Sequence, residues 1–420
     1  MPAPARTEML TEADVVCLAL RAWDTPRKNN QQVMTALART NRVLYVNPPR
    51  AFRDALTEVR GGSAGHAVVE VIAGSLSVYH GPWPLSPVRH DRVGAPAVNG
   101  VIHGLRAAHL RRTCRRLGFA APVLWVYDPM TAPMLGSFRE KLVVYHVIDN
   151  YDEYFPASAT RLRALMTTRQ RTLLKRADVV FAVSEPLAQR CREINPNTHM
   201  VPNGVDYRLF AGALGTAWMP PDVAAIPRPV VGYVGVVQPR VDFALLREVA
   251  VRRRDWSLLI VGPTEYLGDR EEFGLLVREP NVYYVGPKRA EEIPHYIKAC
   301  DVGLIPYRHD AFSPYSDSLK LYEYLACGRP VVSSDMPSSR RFVPLVAIAG
   351  TAVEFIGAIE AGLEEDGARK AERLAVAESQ SWERRADVMR ELVGEALDRK
   401  RARTDRRTER VQRPMDMRGA

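Results

Sequence analysis

Asp301-Val-Gly-Leu-Ile-Pro-Tyr307 and Ser313-Pro-Tyr-Ser-Asp-Ser-Leu-Lys-Leu-Tyr-Glu-Tyr-Leu-Ala-Cys-Gly-Arg-Pro-Val-Val-Ser333 read as strand, polar loop, helix and strand. Val302–Pro306 is a short apolar run of the kind a parallel strand buried on both faces requires. Asp317 and Ser318 are N-cap candidates, and Leu319, Tyr322 and Ala326 follow at helical spacing. Gly328 can end the helix in a left-handed conformation, Pro330 forbids its continuation, and Val331-Val332 opens the next strand. A helix that starts at the carboxyl end of a parallel strand points free N–H groups into the crevice where open α/β sheets bind ligands. Lys320 in its first turn opposes the helix dipole, a cost that an anion in the crevice offsets. Glu323, one turn on, is an acceptor within reach of hydroxyl groups on the same ligand.

The same alternation extends in both directions. Strands are predicted at Asp14–Leu20, Arg42–Val46, Ala67–Ile72, Leu76–Tyr79, Val123–Tyr127, Leu142–Val147 and Val179–Val183, with helices at 31–39, 98–117 and 160–176. A second series starts at Pro229–Val237 and leads into the stretch quoted above. Alternation of this kind predicts α/β architecture, two Rossmann-like doubly wound domains facing a cleft. The expected boundaries are 1–205 for the first domain, 206–228 for a linker rich in Pro, Ala and Gly, and 229–380 for the second domain. A helix over 381–400 is expected to return to the first domain, and 401–420 to form a basic disordered tail. Gly232 and Gly235 do not make a Gly-x-Gly-x-x-Gly fingerprint, which argues against a nicotinamide cofactor.

With 420 residues and 46% hydrophobic content, the chain can bury two cores. No apolar run approaches the ~20 residues of a membrane span, and the N-terminus lacks a signal-peptide core. Five scattered cysteines without a Cys-x-x-Cys pattern read as buried small residues in a reducing compartment. No metal-ligand cluster is visible, so the expectation is a cytoplasmic protein without a bound metal. The net charge of +10 is uneven, with nine basic against three acidic residues from Arg399 onward. A second basic group, Arg106, Arg111, Arg112, Arg115 and Arg116, lies on a helix whose other face is expected to carry Val101, Ile102 and Leu105. Both groups suit an anionic bilayer, at ~1 kcal/mol per engaged residue. Nucleic acid is not expected, since no aromatic-interleaved basic motif accompanies the charge.

Lys320, Glu323, the Glu-Tyr-Leu-Ala-x-Gly-x-Pro-Val-Val run and Ser334-Asp335 resemble the donor-site helix of GT-B glycosyltransferases, nearest to the retaining family 4 and to bacterial enzymes of the teichuronic-acid biosynthesis type. The resemblance covers about residues 14–400 and is stronger in the second half. It implies a hexosyltransferase that takes a nucleotide-diphosphate sugar as donor substrate, with no cofactor, and a cell-envelope polysaccharide or lipid-linked glycan as acceptor. It places the diphosphate against Gly235, Arg240, Ser318, Leu319 and Lys320, and the ribose against Glu323. Val143-Val-Tyr-His-Val-Ile-Asp-Asn-Tyr-Asp-Glu153 resembles the family strand that ends in a His/Asp pair. His146 and Asp149 are therefore the catalytic candidates, with Asp149 as base or acceptor-orienting group and His146 as a partner of a sugar hydroxyl. The loop after the first strand offers Trp23, Lys28, Asn29 and Asn30 to the acceptor, in place of the glycine-rich loop of relatives.

Two departures matter. The first of the family's two glutamates, eight positions apart, falls on Tyr315, which leaves retention or inversion open. The usual Gly-Arg-(x)n-Lys spacing after the first strand of the second domain is absent. A sugar-nucleotide 2-epimerase shares this fold and diphosphate site without needing an acceptor, and a non-catalytic GT-B scaffold would bind without turnover. Both stay open on the sequence, as does peripheral contact with the inner face of the plasma membrane.

Overall fold

The computed structural model describes residues 9–25, 27–49, 68–82, 95–151, 158–264, 267, 271–310 and 313–412. The sequence readings at residues 1–8 and 413–420 lie outside them. The chain divides into two compact units. Unit 1 holds residues 1–182, 188–201 and 386–420, and unit 2 holds 183–187 and 202–385.

Unit 1 is built on an eight-stranded sheet of β1 (Asp14–Leu18), β2 (Arg42–Val46), β3 (Val68–Ala73), β4 (Leu76–His80), β5 (Val123–Val126), β6 (Leu142–Val147), β7 (Val179–Ala182) and β8 (Thr198–Met200). Its spatial order is β3-β4-β2-β1-β5-β6-β7-β8, parallel throughout except for the β3–β4 hairpin. That hairpin turns at Gly74, whose φ of +37° an L side chain rarely adopts. Strands β1, β5, β6 and β7 are buried at every position, which is why their sequences are almost wholly apolar, with Asp14 opening β1 and His146 in β6 the exceptions. The order reverses between β1 and β5, so the crevice at their carboxyl ends is the expected ligand position.

Unit 2 carries six parallel strands, β9 (Val230–Val234), β10 (Ser257–Val261), β11 (Val282–Tyr284), β12 (Val302–Ile305), β13 (Val331–Ser333) and β14 (Val346–Ile348), in the order β11-β10-β9-β12-β13-β14. The reversal here lies between β9 and β12. The loop after β9 carries Gly235 and Arg240, and the helix after β12 carries Lys320. Helix Leu319–Ala326 packs close because Gly303 in β12 has no side chain: a Cβ there would strike the Tyr324 ring. The Tyr324 hydroxyl accepts from the Val234 N–H at 2.8 Å and lies 3.3 Å from the carbonyls of Gly232 and Leu304, which pins the helix over β9 and β12.

Three expectations are corrected. Residues 206–228 are not a linker. They fold into helices Tyr207–Gly212 and Pro221–Ala224, whose Phe210 and Val223 join the core of unit 2. Residues 401–412 are not disordered, because helix Trp382–Gln412 runs through them. Arg and Glu are good helix formers, and Arg399–Glu395 and Arg401–Asp398 pair along the helix. Helix Ala95–Arg116 turns the other way from the expectation: Asn99, His103, Ala107, Leu110 and Cys114 are buried, while Val98, Val101 and Leu105 are 50%, 64% and 53% exposed. Both stripes recur at helical spacing, and the inward one packs against the turn Pro129–Met134. Arg111, Arg112, Arg115 and Arg116 remain exposed, but Arg106 is half-buried and leaves the basic surface.

Candidate active site

In unit 2 the polypeptide after β9 passes through Gly235 at φ +147°, with its N–H donated to the Val261 carbonyl at 2.8 Å. A Cβ at Gly235 would collide with the Lys320 stem, and one at Gly262 (φ +143°) with the Gly235 carbonyl. The two glycines let the ends of β9 and β10 crowd against the first turn of helix Leu319–Ala326. That helix has one open face. Leu319, Lys320 and Glu323 are half-buried, and the other five residues are buried. The three residues nominated from sequence on this helix therefore share the only side of it that a ligand can touch.

Lys320 Nζ donates to the Tyr307 hydroxyl at 2.8 Å and sits 5.0 Å from the Tyr233 ring centroid. Arg240 joins from the β9 loop, with its guanidinium carbon 5.1 Å from the Tyr307 ring and Nε 3.3 Å from an Asp310 oxygen. Burial alone would raise the Tyr307 pKa, but Lys320 first and Arg240 next more than offset it, and the phenol is held below its ordinary value. Burial drives the neighbouring Tyr233 phenol the other way. A phenol that acidifies inside a protein reports a concentrated positive potential, the condition an incoming anion needs.

Ser318 is the N-cap residue and spends no side-chain bond on the cap. Asp317 is not the cap. Its carboxylate is buried and accepts from the Asn203 N–H at 2.6 Å, the Tyr322 hydroxyl at 2.9 Å and Arg341 Nη2 at 2.6 Å. Burial raises its pKa, with Arg341 opposing. This network fixes where the helix begins. Tyr315, in the position of the family's first glutamate, accepts from the Ser184 hydroxyl through its carbonyl at 2.8 Å.

In unit 1, Trp23 lies in the loop after β1, edge-on to Tyr45 with ring centroids 5.0 Å apart, and its backbone N–H donates to Asn47 Oδ1 at 2.9 Å. Helix Asn29–Leu37 then starts at the carboxyl end of β1, with the Lys28 N–H bonded to Gln31 Oε1 at 3.1 Å. Asn29 and Asn30 are both buried, and the Asn30 amide has no hydrogen-bond partner among the described residues. Asp149 stands two residues beyond β6, half-buried, with Oδ1 accepting from the Asn150 N–H at 2.9 Å. His146 is the penultimate residue of β6. It is 0% exposed in β6, with its ring 4.8 Å from Tyr127 and 5.8 Å from Phe181, and neither nitrogen has a partner among the described residues. Burial pushes its pKa down to about 3, so the imidazole is neutral.

Residues 228–365 match the family of glycosyl transferases group 1. Unit 2 carries a glycosyltransferase domain. The enzyme class of the chain follows from that domain, and the two sheets are those of the GT-B fold. The chain is 28% identical over 377 residues to TuaH of Bacillus subtilis strain 168, named as a teichuronic acid biosynthesis glycosyltransferase, covering 84% of this chain and 88% of that one. Among solved structures it resembles sucrose-phosphate synthase of Thermosynechococcus elongatus, with a TM-score of 0.66 at 18% identity over 92% of this chain and 99% of that one. HepE of Anabaena, solved with UDP and glucose, superposes with a TM-score of 0.62 at 15% identity over 91% of this chain and 100% of that one.

Two residues of this glycosyltransferase escaped the sequence reading. Tyr307 sits at the carboxyl end of β12 immediately after Pro306, a position whose strand-end location was the available signal. Gly262 follows β10 in a Val-Gly pair that mirrors Val234-Gly235. Among the described residues no group of three or more His, Cys, Asp or Glu is placed to hold a metal ion, and no helix is long and apolar enough to cross a membrane.

Proposed function

We propose that the protein transfers a sugar from a nucleotide-diphosphate sugar to a cell-envelope polysaccharide or lipid-linked glycan, with retention and without a divalent metal. The carrying observation is the open face of helix Leu319–Ala326, where Lys320 and Glu323 stand beside Arg240 and the Gly235 backbone. Lys320, Arg240 and the N–H groups at Ser318 and Leu319 neutralise the diphosphate as the glycosidic bond breaks and negative charge grows on the leaving oxygen. Glu323 accepts from the ribose hydroxyls. The naming of TuaH supports an envelope polymer as product, and the UDP bound to HepE supports a nucleoside diphosphate as leaving group.

Asp149 is the catalytic residue proposed in unit 1, as base or orienting group for the acceptor hydroxyl. Trp23, Lys28, Asn29 and Asn30 serve the acceptor. The buried, unpartnered Asn30 amide at the mouth of β1 is the observation behind them, since a buried amide without partners costs free energy until a ligand satisfies it. His146, a neutral ring at the end of β6, is the second catalytic candidate, as a partner of a donor-sugar hydroxyl. The acceptor side also visits the inner face of the plasma membrane, through Val98, Val101 and Leu105 and the four exposed arginines of the same helix. Calorimetric titration with UDP, GDP and ADP tests the donor half. One nucleotide should bind, and Glu323→Gln should weaken it more than it weakens the matching 2′,3′-dideoxynucleotide. Equal weakening of both would remove Glu323 from the ribose.

A further inference from the structure

Arg106 is a charged side chain that forms no ion pair among the described residues. It projects from helix Ala95–Arg116 beside the carboxyl ends of β2 and β4, where it lines a small cavity with Asn47, Tyr79, His80, Gly81 and Leu110. Among the described residues it makes no hydrogen bond and no ion pair, although it is half-buried. Burial holds its pKa below the ordinary arginine value. The charge that acts on it most is Asp128, the residue after Tyr127 beyond β5. Asp128 is a poor counter-ion, because its own burial raises its pKa to about 6 and its Oδ1 is already committed to the Met130 N–H at 2.9 Å. A cation withdrawn from water without a paired anion is costly, and unit 1 tolerates that cost beside a vacant space.

The space has a size and a polarity. Its volume is about 30 Å³, where roughly 10–15 Å³ holds one water, so it has room for two or three waters that a small oxyanion group would displace. Asn47 lines it. Its Oδ1 accepts from the Trp23 backbone N–H at 2.9 Å and its Nδ2 donates to His80 Nδ1 at 3.2 Å, which leaves the second Nδ2 hydrogen available. His80 adds no further donor, since its Nε2 faces Glu70 at 3.3 Å. Arg106 and Asn47 thus offer the cavity a guanidinium and one amide N–H, a set that recognises an oxyanion. Through Asn47 the cavity is tied directly to the loop of Trp23.

We propose that Arg106 and Asn47 bind a single phosphate or carboxylate group carried by the acceptor, so that the acceptor is an anionic glycan. The word acceptor rests on the transfer reading above; the oxyanion site does not. The guanidinium grips the anion while Trp23 lies along the adjoining sugar, which sets the acceptor's register in unit 1. Neither residue takes part in bond breaking.

The test titrates the full-length protein with glucose 1-phosphate, glucuronate and glucose, in the presence of saturating UDP so that the cationic cluster of unit 2 is occupied. At least one anionic sugar should bind tenfold or more tighter than glucose. Arg106→Gln should erase that preference, and Arg106→Lys should keep part of it. Preference for glucose 1-phosphate identifies a phosphorylated acceptor, and preference for glucuronate a uronic-acid glycan. Thermal melting reports whether each variant folds. Should Arg106→Gln not fold, Asn47→Asp places a carboxylate at the cavity edge and should also erase the preference. Glucose bound as tightly as both anions, or a preference that survives these substitutions, overturns the proposal. A wild-type protein that binds no nucleotide fails the donor reading alone; the same titration on Lys320→Met then still decides the oxyanion site.

Discussion

Replacing Lys320 by Met keeps the aliphatic stem that fills the space over Gly235 and removes only the charge. In the free protein the ammonium makes one hydrogen bond, to Tyr307, and lies over two aromatic rings, all on the open face of its helix. Its loss should shift the melting temperature by a few degrees at most, since a charge open to solvent contributes about 1 kcal/mol or less. Binding of a nucleoside diphosphate should suffer more. A charge-assisted hydrogen bond is worth about 1.5–3 kcal/mol, which corresponds to a roughly 10–150-fold weaker Kd by calorimetry. Lys320→Arg should recover part of the loss through charge alone. A second readout comes from Tyr307. Lys320 is the leading group that opposes the effect of burial on this phenol, so its pKa should rise in the variant. Tyrosinate absorbance titrated against pH should lose its earliest step in Lys320→Met, and a Tyr307→Phe protein should lack the same step. A folded Lys320→Met protein with wild-type nucleotide affinity would refute the placement of the diphosphate.

Asp149→Asn should lower kcat while donor affinity stays within about twofold, and an Asn variant with wild-type kcat removes Asp149 from the chemistry. His146→Phe should flatten the acid limb of stability. With its pKa depressed from 6.5 to about 3, the folded protein holds His146 neutral where the unfolded chain takes up a proton. Its contribution is therefore complete above pH 6.5 and falls by about 1.4 kcal/mol per pH unit below it. Parallel melting curves for wild type and variant between pH 5 and 7 would contradict this. Turnover should survive a chelator, because Lys320 and Arg240 already supply the positive charge; loss with EDTA and recovery with manganese would show that a metal is needed. Sedimentation with anionic vesicles should exceed that with neutral ones at low salt and fade as the Debye length approaches ~3 Å at 1 M, and Val101→Ser/Leu105→Ser should weaken it. Equal sedimentation with both lipids would leave the exposed stripe without a membrane role.

The sheets were legible because parallel strands covered on both faces are apolar at nearly every position. Arg42–Val46 and Leu142–Val147 have the predicted limits in the structure. The helix after β12 was legible for a different reason: Gly328 and Pro330 mark its end, and Lys320 sits where the helix dipole disfavours a cation. What was hidden depended on packing partners. Helix Ala95–Arg116 has two stripes at helical spacing, and only the neighbouring turn Pro129–Met134 decides that Asn99 and His103 go inward while Val101 and Leu105 go out. Phe210 and Val223 looked like linker residues because the helices that carry them are only six and four residues long. The aromatic surroundings of His146, between Tyr127 and Phe181, were hidden because those rings come from just beyond β5 and from β7, the strands on either side. Tyr307 needed the fold to bring β12 and the Lys320 helix together.

The most direct test of glycosyl transfer is release of nucleoside diphosphate from a panel of UDP-, GDP- and ADP-sugars, with and without envelope lipid and glycan extract. One donor should be consumed only when the extract is present, with its sugar recovered on the extracted material and the release lost in Lys320→Met. Release, or isomerisation of the sugar nucleotide, that proceeds equally without extract would contradict transfer, as would a protein that binds the nucleotide and turns over none of the donors.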